Sequence, residues 1–376
     1  WARLAYPFDL EWMEGGMLVH ALRSREGLGL YVSPGADFIP YIYPPLFPWL
    51  IGILGEPSYA LGRGLSLFCT LASCAALVMA VRQEKAPWFF ALGAVGVFLS
   101  TYEDSGSFFD LVRPDALALA LAAWSLVLCR RGCRRAVVAG AGLLFLAFVA
   151  KHNYAALGLV IFPWLWRYRS RRRAFDFVLC SAAPALLFLA IAQWRTGDLF
   201  LTYLLEVPAF HPLVGERAFP GTPRELFSAL NVFCVGTGIA LLILLFRRHR
   251  PTEGGVYWVG AALVILPLSA LMRAHHGGFL NVLMPAHWLL SCVGCMALAS
   301  AVGKFSAPGT RGCLSLAAAG LLAFQSVDGR WVEGRFSPRD GDVEAGEQLL
   351  ERIASIPGEV WMPQDAPQPP PLEVAP

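Results

Sequence analysis

Residues 60–81 read ALGRGLSLFCTLASCAALVMAV, an apolar run long enough to cross a lipid bilayer as a helix. Hydrophobic residues make up 56% of the 376-residue chain and charged residues only 15%, which excludes an ordinary soluble domain. Similar runs recur, so the chain is predicted to be an all-α integral membrane protein, a multispan helical bundle with about ten spans. The predicted spans are residues 60–81, 86–101, 116–129, 136–150, 153–166, 174–194, 226–246, 256–272, 279–302 and 313–324.

Positive charge collects in every second connection between these runs, and the positive-inside rule places such connections in the cytoplasm. The remaining connections, together with the segment ahead of residue 60, then face the outside, where most of the acidic residues lie. The basic connections contain Arg82 and Lys85; Arg130, Arg131, Arg134 and Arg135; Arg167, Arg169, Arg171, Arg172 and Arg173; Arg247, Arg248 and Arg250; and Lys304 and Arg311.

This orientation divides the chain into three parts. Residues 1–59 form an outer acidic loop with juxtamembrane helices expected at 17–23 and 44–55, where aromatic residues and prolines are frequent. Residues 60–326 form the transmembrane bundle. Residues 327–376 form a short, partial outer soluble segment, with a helix-like run at 343–356 and a strand-like run at 359–362. We expect a preceding span upstream of residue 1 and the rest of the tail beyond residue 376.

An acidic stretch, Asp9-Leu10-Glu11-Trp12-Met13-Glu14, precedes the first span. Ionised groups are costly beside hydrocarbon, so carboxylates at the mouth of a helical bundle indicate catalysis or cation binding in a water-filled cavity. Asp9, Glu11 and Glu14 are therefore candidate catalytic residues.

A second outer carboxylate, Asp115, follows Arg113 and Pro114 directly ahead of the apolar run 116–129. Proline suits the first helical turn, which would place Asp115 at the positive end of a helix dipole. The alternative that this carboxylate only caps the helix stays open.

Polar residues also stand at three other outer ends, where Lys and Arg can bind a phosphate or pyrophosphate head group. The alternative is that Lys151 and Arg273 are ordinary snorkelling residues. Adjacent histidines point apart, and no third ligand is evident, so no metal site is predicted at His275 and His276. The nine cysteines lie within spans or at their cytoplasmic ends, so no disulfide framework is implied.

The outer motifs, taken together, resemble the GT-C glycosyltransferases, in particular the protein O-mannosyltransferase and lipid A aminoarabinose transferase group. The similarity lies in their order and common sidedness along most of the chain. The motifs are Gly-Leu-Gly-Leu-Tyr31, Tyr43-Pro-Pro-Leu, Gly62-Arg63-Gly-Leu-Ser66, Arg113-Pro-Asp-Ala-Leu-Ala-Leu-Ala and Gly277-Gly-Phe-Leu-Asn281.

The resemblance implies transfer of a sugar from a polyprenyl-phosphate donor to a lipid, glycan or protein acceptor. It places the reaction on the outer, periplasmic side of the bacterial inner (plasma) membrane. A general base would deprotonate the acceptor hydroxyl, and cations would stabilise the departing lipid phosphate. No cofactor is required, a divalent cation is possible, and nucleic acid is not a partner.

The leading catalytic Asp of these relatives falls on Met13 here, so alignment favours Glu14 as the base, whereas chemistry favours Glu11 or Asp9. Asp115 matches the second acidic position of the relatives. The expected substrate-binding residues are Arg113, Lys151, His152, Tyr43, Arg273, His275, His276 and Asn281.

A multispan transporter or flippase of a lipid-linked or anionic substrate is the alternative function. It predicts internal repeats and ionisable residues at the bilayer midplane, and the span centres are almost free of charge. An O-antigen ligase or polymerase would instead rely on a large outer loop. A purely structural membrane protein would explain neither acidic loop.

Overall fold

The computed structural model describes residues 2–35, 38–248, 250–327 and 336–358. Within these ranges the chain is helical and has no strand, apart from one isolated β-bridge between Leu213 and His275. The prediction of an all-α fold is confirmed. The strand-like run predicted at 359–362 lies outside the described residues.

Three short helices precede the bundle: α1 (Ala2–Ala5), α2 (Glu14–Arg25) and α3 (Leu46–Leu54). Helices α2 and α3 pack against each other, with Gly52 of α3 close to the backbone carbonyl of Ala21 in α2. The two helices that the sequence predicts ahead of the first span are therefore present.

The first half of the bundle contains antiparallel helices joined by short connections. Gly132 ends one of them with a φ of 72°, a left-handed conformation that lets the chain reverse at once into the next helix. These helices are α4 (Tyr59–Gln83), α5 (Trp88–Ser100), α6 (Pro114–Arg131), α7 (Arg134–Ala150), α8 (Gly158–Tyr168) and α9 (Arg171–Thr196).

The second half begins with short helices in the long connection after α9 and continues with apolar ones. The elements are α10 (Leu199–Leu201), α11 (Val207–Ala209), α12 (Thr222–Ala229), α13 (Asn231–Phe246), α14 (Glu253–Ala274), α15 (Met284–Val302), α16 (Pro308–Val327) and α17 (Asp342–Ala354). Single turns of 3₁₀ or π helix lie at Glu103–Ser105, His152–Leu157, Thr202–Glu206, Arg217–Gly221 and Leu280–Leu283.

Each of the ten predicted apolar runs coincides with helix, with one difference. The run 226–246 is broken at Leu230, where α12 and α13 meet at a bend of 94°. Among the described residues, four helices are long and apolar enough to cross a membrane, or five if this bent pair is one span. The shorter helices include α5, with 13 residues, so the number of about ten crossings stays a prediction.

The two ends of the bundle differ in their ionic contacts. At one end, the last turn of α6 meets the start of α14, and the ion pairs Arg130–Glu84 (2.8 Å) and Arg169–Glu253 (2.9 Å) join helix termini from the basic connections. At the other end, α1, α2 and the first turns of α4 and α6 bring the acidic stretch onto the bundle. Helix α17 covers this end, with Gly346 against the ring of Phe8.

Candidate functional site

Three helix ends meet beside the acidic stretch. Asp115 lies in the first turn of α6, Lys151 directly follows the last turn of α7, and Asn281 lies in the 3₁₀ turn ahead of α15. A carboxylate is stabilised by the positive end of a helix dipole and an ammonium by the negative end. The positions of Asp115 and Lys151 therefore suit their charges before they contact each other.

Asp115 is almost fully buried, and its two carboxylate oxygens differ in their hydrogen bonds. Its Oδ1 accepts hydrogen bonds from Lys151 Nζ at 2.6 Å and from Asn281 Nδ2 at 2.8 Å. Its Oδ2 lies 4.0 Å from Arg113 Nε, and neither of these two buried atoms has a hydrogen-bond partner among the described residues. A third polar atom about 2.8 Å from each would satisfy both.

Arg113 joins Asp115 to the acidic stretch. Its Nη1 donates to Glu11 Oε2 at 2.9 Å, and its Nη2 donates to the hydroxyl of Tyr43 at 2.8 Å. The guanidinium also lies over the rings of Tyr43 and Phe108, each 5.3 Å away. Glu11, Tyr43, Arg113 and Asp115 thus form one contiguous cluster.

Glu11 is the carboxylate of the cluster that reaches a cavity. Burial raises its pKa above the ordinary value, while the Arg113 guanidinium acts in the opposite direction. Its Oε2 also accepts from the backbone N–H of Met13 at 3.3 Å, whereas Oε1 has no hydrogen bond with a described residue. A partly buried carboxylate with a raised pKa and one unengaged oxygen can accept a proton.

The cavity beside Glu11 has a volume of about 300 Å³. Its wall combines carboxylates with aromatic rings, since Asp9, Phe108 and Phe279 line it too. The segment after the last bundle helix supplies another part of the wall through residues 336–338 and Asp342. Arg3 fixes that segment by donating to the carbonyl oxygen of Phe336 and pairing with Asp110 at 2.8 Å.

Glu14 lies in a different environment from Glu11. Its side chain has 0% exposure, and its two oxygens accept four hydrogen bonds. Two come from Arg63 (Nε 3.0 Å, Nη2 2.7 Å) and two from the backbone N–H groups of Leu10 and Val112, both at 2.7 Å. This carboxylate holds the loop against α4 and has no oxygen left to take a proton.

Asp9 is also engaged in holding the loop. Its Oδ1 accepts from the N–H of Gly15 in the first turn of α2 and from the Tyr59 hydroxyl, both at 2.7 Å. Asp9 therefore caps α2 and ties it to the start of α4 while still lining the cavity.

The structure does not bring Arg273, His275 and His276 into this cluster. Arg273 forms a bidentate pair with Glu225 at 2.7 and 3.0 Å and donates to the Gly278 carbonyl at 2.8 Å. The N–H of His276 donates to the carbonyl of Pro212 at 3.0 Å. These contacts fasten the long connection between α9 and α13 to the end of α14. Over the described ranges, no group of three or more His, Cys, Asp or Glu residues is arranged to hold a metal ion.

His152 follows Lys151 in the chain and is half-buried. Burial, together with the charge of Lys151, lowers its pKa to about 4, so the ring is neutral at physiological pH. Its Nδ1 has no hydrogen-bond partner among the described residues.

The sequence did not indicate that Arg63 and His20 help to form the site. Arg63 is fully buried and uses its guanidinium on Glu14 and on the carbonyls of Arg3, Tyr6 and Phe8. A lone arginine inside the apolar run 60–81 is the signal that could have identified it. His20 accepts from the N–H of Tyr41 through Nε2 at 2.9 Å, and its Nδ1 lies 2.7 Å from the Gly16 carbonyl.

Comparison with known proteins gives structural neighbours only. No protein-family profile and no curated protein sequence matches the chain. A crystal structure of ArnT from Cupriavidus metallidurans bound to undecaprenyl phosphate matches with a TM-score of 0.58 and 14% identity, over 93% of this chain and 70% of that one. The apo structure of the same protein gives a TM-score of 0.59 and 15% identity, over 93% and 69%. The chain therefore shares the fold of ArnT, and this confirms the fold that the resemblance of its motifs implies.

Proposed function

We propose that this protein is a GT-C glycosyltransferase that moves a sugar from a polyprenyl-phosphate donor to a lipid, glycan or protein acceptor. The observation that carries the proposal is the continuous ionic chain Glu11–Arg113–Asp115–Lys151 beside the cavity. It combines a proton acceptor with buried cations at one end of a GT-C bundle. ArnT, which shares the fold, has been crystallised with undecaprenyl phosphate, and this supports a polyprenyl-phosphate donor here.

Glu11 is the proposed general base. The acceptor hydroxyl oxygen forms a bond to the anomeric carbon, the bond from that carbon to the phosphate oxygen breaks, and the hydroxyl proton passes to Glu11. The raised pKa makes Glu11 a stronger base than an ordinary glutamate, provided that it is ionised when the acceptor binds. Glu14 is assigned to holding the loop because its oxygens are fully occupied.

Arg113 and Lys151 are the proposed partners of the donor phosphate. The leaving group is a phosphate anion, which needs positive charge and hydrogen-bond donors instead of an added proton. Asp115 positions both cations: it holds Lys151 through Oδ1 and faces Arg113 through Oδ2. Asn281 helps to fix the Asp115 carboxylate by donating a second hydrogen bond to Oδ1.

The reaction is proposed to take place at the outer face of a bacterial inner membrane. This sidedness rests on the basic connections, which gather at the end opposite the cluster. We further propose that no cofactor is needed. Activity that survives treatment with a chelator would support this, and loss of activity restored by a divalent cation would contradict it.

The test is transfer of radiolabelled sugar from polyprenyl-phosphate sugars, followed in the lipid, glycan and protein fractions of membranes that contain the protein. Glu11→Gln and Asp115→Asn should each lower transfer at least about 100-fold while leaving the amount of protein in the membrane unchanged. Glu56→Gln is the matched control, because Glu56 also pairs with an arginine, Arg25, but on the exposed surface.

Full activity in Glu11→Gln and Asp115→Asn would refute the site. The transporter alternative predicts a different outcome: the labelled lipid would change sides without a covalent product forming. Covalent transfer that needs Glu11 excludes that alternative.

A further inference from the structure

A second cavity lies at the opposite end of the bundle from Asp115. Helix α4 begins beside the acidic stretch and ends beside this cavity, which also borders α5, α15 and α16 and has a volume of about 270 Å³. Its apolar side is formed by residues such as Phe90 and Met296, and its polar side by Lys85, Ser300 and Arg311. The proposed transfer reaction does not use it.

The charge at this cavity is positive. Lys85 and Arg311 are exposed, and neither has an ion pair with a described residue. Glu84 also lines the cavity, but Arg130 takes its carboxylate at 2.8 Å and Trp258 Nε1 donates to it at 3.2 Å. Lys85 and Arg311 therefore face the cavity without a neutralising acid.

Helix α5 begins at this cavity. It starts at Trp88, directly after the cavity-lining residues Ala86 and Pro87, so its first backbone N–H groups lie close to the cavity and to Lys85. The positive end of its dipole adds to the two side-chain charges. Together they favour a phosphate group.

Helix α5 is short, and this should bring lipid head groups to the level of the cavity. Its 13 residues extend about 20 Å, which is less than the roughly 30 Å of a bilayer hydrocarbon core. Gly93 holds α5 closely against α16, since a Cβ there would lie 2.6 Å from Leu322. A short helix fixed in a bundle is accommodated by local bilayer thinning, which lowers head groups toward its end.

We propose that this cavity binds the phosphate of an anionic phospholipid from the leaflet that faces the basic connections. Lys85, Arg311 and the start of α5 contact the phosphate, and the acyl chains run along the exposed apolar side chains Phe89 and Leu92 of α5. Basic pockets between membrane helices bind anionic head groups through this combination of charge and adjoining apolar surface.

Native mass spectrometry of the purified full-length protein, titrated with phosphatidylglycerol, tests the proposal. Each basic residue that contacts the anionic head group should contribute roughly fivefold to lipid affinity, so Lys85→Gln/Arg311→Gln should weaken binding roughly 30-fold. Arg135→Gln/Arg172→Gln removes two exposed arginines at the same end but away from the cavity, and it should bind like the wild type. If the first double variant fails to fold, Arg311→Gln alone should show a roughly fivefold loss.

Unchanged phosphatidylglycerol affinity in the cavity variants would overturn the proposal. So would phosphatidylcholine binding as tight as phosphatidylglycerol binding, because the site would then not select negative charge. Displacement of the lipid by millimolar inorganic phosphate would also overturn it, since it would identify a site for the free anion.

Discussion

Replacing Arg63 with methionine should destabilise the acidic end of the molecule strongly. The Arg63 side chain forms five hydrogen bonds, two to Glu14 and three to the backbone carbonyls of Arg3, Tyr6 and Phe8. Removing one partner of a buried ion pair leaves an uncompensated charge and costs about 3–5 kcal/mol. Thermal unfolding of the detergent-solubilised protein, followed by tryptophan fluorescence, measures the loss.

Arg25→Met is the control for this experiment. Arg25 pairs with Glu56, but their side chains are 43% and 74% exposed, so this pair contributes only about 0–1 kcal/mol. Arg63→Met should therefore unfold at a clearly lower temperature than Arg25→Met. Equal unfolding temperatures would refute the assignment of Arg63 and Glu14 as the anchor of the loop.

A double variant, Arg63→Met/Glu14→Leu, provides a second check. It removes both charges, so no unpaired carboxylate remains buried, and it should be more stable than Arg63→Met alone. If the loss of stability in the double variant equals the sum of the losses in Arg63→Met and Glu14→Leu, the two residues are not coupled and the reasoning is wrong.

Three further predictions concern single side chains. The transfer rate of the wild type should rise with pH through a midpoint above 4.5, the ordinary pKa of a glutamate side chain, because burial raises the pKa of Glu11. The pH–rate profile of Glu11→Gln should lack this rise, and its rates should be at least about 100-fold lower. Asn281→Ala removes one hydrogen bond from the Asp115 carboxylate and should lower kcat/KM about 10- to 100-fold, whereas an unchanged value in steady-state assays would show that Asn281 does not position Asp115. Burial lowers the pKa of His20 from 6.5 to about 4, so the unfolded state binds a proton before the folded state does as the pH falls below 6.5. The free energy of unfolding should therefore decline by about 3 kcal/mol by pH 4. The same measurement on His20→Gln should lack this decline.

The sequence predicted the helical segments well because an apolar run in a membrane protein must form helix to satisfy its backbone. It also predicted that Asp115 and Lys151 share one end of the bundle, since both stand at helix ends on the same face. It could not predict the bend at Leu230, because isolated polar residues such as Ser228 and Asn231 do not by themselves end an apolar run. The first residues of the run instead belong to α12.

The roles of the three loop carboxylates could not be separated from the sequence. Alignment favoured Glu14, yet Glu14 is the one buried against Arg63, and that contact joins residues far apart in the chain. The sequence also predicted that Arg273 lies at the same end of the bundle as Asp115, but this did not suffice to place it in the site. Two residues at one end of a bundle can still be far apart laterally. Its partner Glu225 lies in α12, at the end of a long connection whose path no local pattern fixes.

The ionic chain beside the cavity contains two carboxylates, Glu11 and Asp115, and two cations, Arg113 and Lys151. Its formal charge is therefore already balanced before any substrate enters. The donor phosphodiester adds one negative charge, and the phosphate gains a second one as its bond to the anomeric carbon breaks. The proton that the acceptor hydroxyl passes to Glu11 leaves the cluster with one net positive charge at the moment when the departing phosphate gains its negative charge. The cluster therefore complements the transition state better than the bound donor.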